Sequence, residues 1–240
     1  MEATIYYTQH CINERRRPFM KVVRRLIEES GLHITSCSRI PMDFGDNVVL
    51  DAPSGPVTMF RQILMALEHA KEKYIFFCEH DVLYHKNHFD YTPPTDDAFY
   101  YNTNVWRWDY ASRRCITYDN LISVSGICVN RKLAIEFYKK RLELIYKRGY
   151  DKIETMGNPR WANAIGWEPG KVSFKGRYDM GEVATTITRR SAFPNVDIRH
   201  TRTISAPKMH IEDFKSLPTN WQESTINNLP GWENFPWNSL

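Results

Sequence analysis

No apolar run in this 240-residue chain approaches the ~20 residues that a helix needs to cross a bilayer, so a membrane-spanning protein is not expected. The N-terminal Met1-Glu2-Ala3-Thr4 lacks the charged-then-apolar order of a secretory signal. No N-x-S/T sequon occurs. The five cysteines (Cys11, Cys37, Cys78, Cys115 and Cys128) include no C-x-x-C pair, which argues against a zinc ribbon or a dithiol redox motif. Three lie in or beside apolar runs and read as buried free thiols. Together these absences predict a cytoplasmic protein. Charge of one sign is also scarce: 32 Lys+Arg against 28 Asp+Glu leave +4, too little to prove a polyanionic partner. Internal repeats, low-complexity tracts and Gly/Ser linkers are missing too.

What is present is a composition of 42% hydrophobic and 25% charged residues, that of a folded chain, with a high aromatic share of 13%. Thr4–Thr8 predicts a first strand, followed by a polar loop from Gln9 to Arg17. Pro18 suits the first turn of a helix whose apolar residues Phe19, Val22, Val23, Leu26 and Ile27 have helical spacing, and Gly31 ends it. His33–Ser38 predicts a second strand, and Pro41–Pro56 a turn-rich stretch. Val57, Phe60, Leu64 and Leu67 mark a second helix ending near His69. Tyr74-Ile75-Phe76-Phe77-Cys78 is a short continuous apolar run, the pattern of a strand buried on both faces. The alternation of strands and helices predicts an α/β fold with a mainly parallel, twisted sheet flanked by helices. Ala98–Asn102 and Leu121–Val129 are further strand candidates, and Lys132–Tyr146 is a helix. From Gly149 to Leu240, short irregular elements are expected to pack on the sheet within a single domain spanning 1–240.

The chemistry sits where the buried strand ends. Ligands of open α/β sheets bind beyond the carboxyl ends of the strands, and the run ending at Cys78 delivers Glu79-His80-Asp81 there. In an extended chain, residues two apart face one side, so both carboxylates approach one cation. Such hard oxygen ligands suit Mg²⁺ or Mn²⁺. The competing reading makes them solvated loop charges with His80 at the surface.

Gly55-Pro56-Val57-Thr58-Met59-Phe60-Arg61, then a helix, then Lys73 to Asp81, resembles the donor-binding half of GT-A fold glycosyltransferases. The resemblance spans Thr4 to Thr203 and is most specific from Gly55 to Asp81. It implies a GT-A-like (Rossmann-like) fold with a nucleotide-sugar-binding half at 1–90, an acceptor-side half at 91–210 and a tail at 211–240. It implies a metal ion, Mn²⁺ or Mg²⁺, bridging the diphosphate of a nucleotide-sugar donor, with Asp81 as the last acid of a D-x-D-type motif. Glu79 stands where the family usually has Asp, which is a departure. Arg61 matches a helix arginine near the diphosphate. Thr8, Gln9 and His10 match the place of base and ribose contacts. Gly126 matches a turn bordering donor sugar and acceptor, although a bulge or tight packing explains a glycine equally well. By the same resemblance, Glu182, or failing it Asp179, is the base of an inverting enzyme, at the start of a helix-like Val183–Arg189 stretch. His200, preferred over His210, is the third metal ligand beside Asp81 and Glu79.

The acceptor is expected from a different feature. Trp106, Trp108 and Tyr110 interleave with Arg107, Arg113 and Arg114, and aromatic groups among cations stack on bases or sugars while holding phosphates. This suggests a DNA acceptor bearing a hydroxymethylated base, as in phage-type DNA glycosyltransferases, placing the protein in the host cytoplasm; a saccharide or small molecule fits the same rings. Two other classes stand beside this one. A nucleotidyltransferase shares the sheet and the acids, but its phosphate loop is usually Gly-rich, and Gln9–Arg17 has no glycine. A non-catalytic sugar or nucleic-acid binding module would keep the aromatic face and tolerate loss of the acids.

Overall fold

The computed structural model describes residues 1–9, 18–152, 168–170, 184–200 and 208–237. Its framework is a seven-stranded sheet in the order β10-β6-β9-β4-β1-β2-β3. The strands are β1 (Glu2–Tyr7), β2 (His33–Ser38), β3 (Asp46–Val49), β4 (Tyr74–Glu79), β6 (Phe99–Asn102), β9 (Ile127–Asn130) and β10 (Thr186–Arg189). β1, β2, β3 and β4 run parallel, as do β6 and β10; β9 runs antiparallel to both β4 and β6. Helices α1 (Phe19–Glu28), α2 (Pro56–His69) and α3 (Arg131–Lys147) flank it, giving the α/β architecture that the sequence pattern predicts.

Both faces of this sheet are covered, which explains the unbroken apolar run in β4. Ile75 and Phe77 pack with α2 and α3, while Phe76 and Cys78 pack with α1 and a second sheet. All four side chains are fully buried, and each large one contributes about 1.5–3 kcal/mol through removal from water. α1 starts after Pro18, which sits at its N-cap, and Gly31 follows it with φ +70°, a left-handed conformation that suits glycine. In α3, the Asn130 side chain accepts from the N–H groups of Lys132 and Leu133 and so closes the helix start.

The second sheet has the order β12-β8-β7-β11-β5. It is built from β5 (Val82–Leu83), β7 (Val105–Asp109), β8 (Arg114–Thr117), β11 (Asn195–Arg199) and β12 (Gln222–Thr225). Its inner face joins the core: Val196 and Ile198 of β11 pack with Trp108, Trp232 and Trp237. The Trp232 indole donates to Pro194 O at 2.7 Å, tying the C-terminal segment down.

Several local expectations change. Leu121–Val129 is not one strand: a 3-10 turn at Val124–Gly126 precedes β9. The described end of the helix-like stretch, Thr186–Arg189, is a strand, because it pairs in register with β6 from Phe99 to Asn102. The turn-rich Pro41–Pro56 stretch contains the edge strand β3. Cys37, Cys78, Cys115 and Cys128 are buried free thiols, as the apolar flanks of the central ones predict; Cys11 lies outside the described residues. Among the described residues, no helix is long and apolar enough to cross a membrane.

Candidate metal centre at the carboxyl edge of the sheet

The order 3-2-1-4 puts the crevice of the parallel sheet between the carboxyl ends of β1 and β4, where Tyr7 pairs with Glu79. The chain does not stay extended beyond that point. It turns at His80-Asp81 and returns as β5, which pairs antiparallel with β11. The Ile198 N–H donates to Asp81 O at 2.7 Å, so the end of β11 is fastened to the turn. His200, the residue after β11, thereby meets Asp81: its Nε2 lies 3.4 Å from Asp81 Oδ2, and His80 Nε2 lies 3.8 Å from the same oxygen. The two imidazole centroids are 6.0 Å apart, and the Phe19 ring at the start of α1 lies against His200 at 5.6 Å.

One ligand atom from each of His80, Asp81 and His200 falls within 4.8 Å of the others. Glu79 is not in this set. The turn at residues 80 and 81 breaks the strand alternation on which the pairing of Glu79 with Asp81 rests, and it brings His80 in instead. The donor chemistry fits a divalent cation: one carboxylate and two imidazoles on three residues, leaving positions for water or a phosphate oxygen. Two imidazoles suit a first-row transition ion better than Mg²⁺, which prefers oxygen throughout.

The electrostatics separate the two neighbouring acids. Burial raises Asp81, but His80, His200 and Arg199 together outweigh it and hold the carboxyl well below the usual range. Glu79 is pushed up to about 8, by burial first and then by Asp81 and Asp197; the Tyr7 and Ser125 hydroxyls offset this only in part. A dication beside Asp81 would reverse the sign of the local field acting on Glu79. Beneath the turn, the buried Tyr84 hydroxyl accepts from the Glu79 N–H at 2.9 Å. It fixes the backbone where the strand gives way to the turn.

A second charged layer runs along the outer face of the second sheet. Asp197 and Arg199 alternate on β11, with Oδ2 and Nη1 3.3 Å apart, and Arg107 Nε of β7 lies 3.7 Å from Asp197 Oδ2. Burial opposes the charge of Arg199, but Asp197, Asp81 and Glu79 outweigh it and keep it cationic. The sequence pattern Asp197-x-Arg199-His200, two charges on one strand face before a histidine, is the signal that marks this layer. His80 lies between two acids at a strand end, a position that does not by itself tell a ligand from a surface residue.

The other expected site residues are distributed as follows. Thr8 is buried; its N–H donates to Cys37 O and its carbonyl accepts from Gln62. The Gln9 carboxamide pairs with the Gly55 peptide, donating to the carbonyl and accepting from the N–H, both at 2.8 Å. This links the end of β1 to the start of α2. Arg61 lies on the exposed face of α2. Gly126 is buried, and a Cβ there would sit 3.1 Å from Asn102 O, so close packing accounts for the glycine. His10, Asp179 and Glu182 lie outside the described residues.

The aromatic cluster is where the structure departs most. Trp106, Trp108 and Tyr110 alternate along β7 and its end, so all three point to the inner face, while Arg107 points outward. Trp108 is fully buried, edge-on to Trp237 at 5.6 Å and to Tyr110 at 5.4 Å. Trp106 and Tyr110 are half-buried against the same core. Strand alternation thus separates rings from Arg107, and Trp108 is core material rather than an acceptor surface.

No protein-family model matches the chain. No curated protein matches it either. Among solved structures, it is similar to a glycosyltransferase involved in the glycosylation of the major capsid of PBCV-1, with 10% identity and a TM-score of 0.41 over 78% of this chain and 81% of that one.

Proposed function

We propose that the protein is a metal-dependent glycosyltransferase that moves a sugar from a nucleotide-diphosphate donor to an acceptor hydroxyl. The observation that carries this reading is the convergence of Asp81, His80 and His200 at the carboxyl edge of β4, beside the β1–β4 crevice. A nucleotide has its place along the ends of β1 and β2, with Thr8, Gln9 and His10 as its contacts and the diphosphate toward Asp81. The metal, when bound, supplies positive charge against the charge developing on the leaving diphosphate. Arg199, held cationic by its acidic neighbours, adds to that field from the floor of the site, and Arg61 reaches the diphosphate from the exposed face of α2. Glu79, at the end of β4 next to the His80-Asp81 turn, is the proposed contact to the donor sugar. Glu182, or failing it Asp179, is the proposed base that takes the acceptor proton in an inverting transfer. The DNA acceptor suggested by the sequence loses the support of Trp108, which is fully buried; Trp106 and Tyr110 are half-buried.

The test is release of nucleoside diphosphate from a panel of nucleotide sugars with Mn²⁺ present. The wild-type protein is expected to turn over one donor, and Asp81→Ala to abolish that turnover. Unchanged turnover in Asp81→Ala contradicts the site assignment.

A further inference from the structure

The outer face of the second sheet carries a second aromatic group, separate from the core-facing rings of β7. Tyr118, just past β8, and Trp221, just before β12, lie parallel to within 11° with centroids 6.0 Å apart. Phe214 stands against both nearly at right angles, at 5.1 Å from Tyr118 and 5.7 Å from Trp221. All three are only partly buried. The corner is held rigidly. β12 pairs with β8, Asp119 accepts from Thr219 and Asn220, and the Trp221 indole N–H donates to Glu223 Oε1 at 2.9 Å. From here the charged layer leads to the metal centre: Arg107 Nη1 donates to the Tyr118 hydroxyl at 2.9 Å and its Nε lies 3.7 Å from Asp197, which pairs with Arg199.

From this geometry we infer that Tyr118, Phe214 and Trp221 form a binding corner for a neutral saccharide, the acceptor of the transfer. Its role as acceptor site rests on the glycosyltransferase reading; the binding itself does not. Two observations select the ligand class. First, the faces of aromatic rings are electron-rich and attract the positively polarised C–H face of a sugar ring, and a corner of two orientations holds such a ring on two sides. Tyr118, whose oxygen accepts from Arg107, keeps its own proton for a sugar oxygen. Second, among the described residues the arginines at these rings stand beside acids. Arg107 lies 3.7 Å from Asp197, which Arg199 shares, and Arg114 is ion-paired with Glu223; Lys208 lies over the Phe214 ring at 4.9 Å. A nucleic-acid surface needs the opposite, a stripe of net positive charge to neutralise phosphates.

The experiment uses the full chain and an array of neutral oligosaccharides, with a single-stranded DNA oligonucleotide as the competing probe. The best-binding oligosaccharide is then titrated into protein whose seven tryptophans are replaced by 5-fluorotryptophan, the Trp221 resonance being assigned through Trp221→Phe. The expected result is a shift of the Trp221 resonance on titration, and an affinity about tenfold or more weaker in both Trp221→Ala and Phe214→Ala. The ¹⁹F measurement needs no destabilised variant, so an unfolded alanine mutant leaves the test intact. Binding that leaves the Trp221 resonance unmoved overturns the inference. So does an array on which no neutral saccharide binds, or binding of the DNA probe alone. Because glycan binding requires no donor, absence of donor turnover with Trp221-dependent binding overturns the glycosyltransferase reading and not the corner.

Discussion

His200 Nε2 stands 3.4 Å from Asp81 Oδ2, joining the end of β11 to the turn that follows β4. This approach joins two separate strand ends into a single candidate cation site, whose third member is His80 rather than Glu79. His80→Ala is therefore expected to weaken Mn²⁺ binding by about 10- to 100-fold or more, on the scale of perturbed metal shells. Glu79→Gln is expected to change it by only a few-fold. Titration calorimetry with Mn²⁺ alone checks the pair, and the reverse ranking would show that Glu79 is the ligand.

Trp108 is enclosed by Trp237, Tyr110 and the inner face of the second sheet. Trp108→Ala is expected to cost about 3–5 kcal/mol of stability, the usual loss for a large buried aromatic. Urea unfolding measures it. A loss below about 1 kcal/mol would mean that the indole is not core material.

Tyr84 supports the His80-Asp81 turn through its hydroxyl, which accepts from the Glu79 N–H. Tyr84→Phe keeps the ring and leaves that N–H without its partner, at an expected cost of about 1–3 kcal/mol. Mn²⁺ affinity should fall with it, because the turn loses its fixed backbone. Unchanged stability and affinity would remove Tyr84 from the support of the site.

His88 gives the fold an acid limit. Asn102 and Asn195 both donate to its Nδ1 at 3.0 Å, and burial, aided by the Arg189 charge, pushes its pKa well below the ordinary 6.5. The unfolded chain takes up the proton first. Stability from this group is thus complete above pH 6.5 and is lost as pH falls from 6.5 toward the folded value, at up to about 1.4 kcal/mol per pH unit. Urea midpoints from pH 7.5 to 5.0 should fall more steeply in the wild type than in His88→Gln. Equal slopes would contradict the assignment.

The parts of the fold legible in the sequence are those governed by local periodicity. β2 matches its expected bounds, and β4 and α3 agree within a residue or two, because burial on one or both faces writes a clear pattern. β3 was hidden: it is a four-residue edge strand inside a turn-rich stretch, with little apolar alternation. β7 shows how a correct observation carries the wrong meaning. Trp106, Trp108 and Tyr110 recur every second residue, which is a strand signal, but the interleaved Arg107 suggested one mixed surface where the pleat makes two; Arg113, past the strand, does lie over the Trp108 and Tyr110 rings at 5.1 and 5.4 Å. At the site, the strand end carrying Asp81 was legible. The inclusion of His80 was not, since it depends on where the chain stops being extended, and that is set by the pairing of β5 with β11.

The central claim is a metal-dependent nucleotide-sugar site at the Asp81 edge. Thermal shift of the wild-type chain with nucleoside diphosphates and nucleotide sugars, each with and without Mn²⁺, tests it most directly. The account predicts that at least one nucleotide stabilises the protein only when Mn²⁺ is present, by about 2.7 kcal/mol at a ligand concentration of 100 Kd, and that Asp81→Ala loses the effect. No shift with any nucleotide, or an equal shift without the metal, would contradict it.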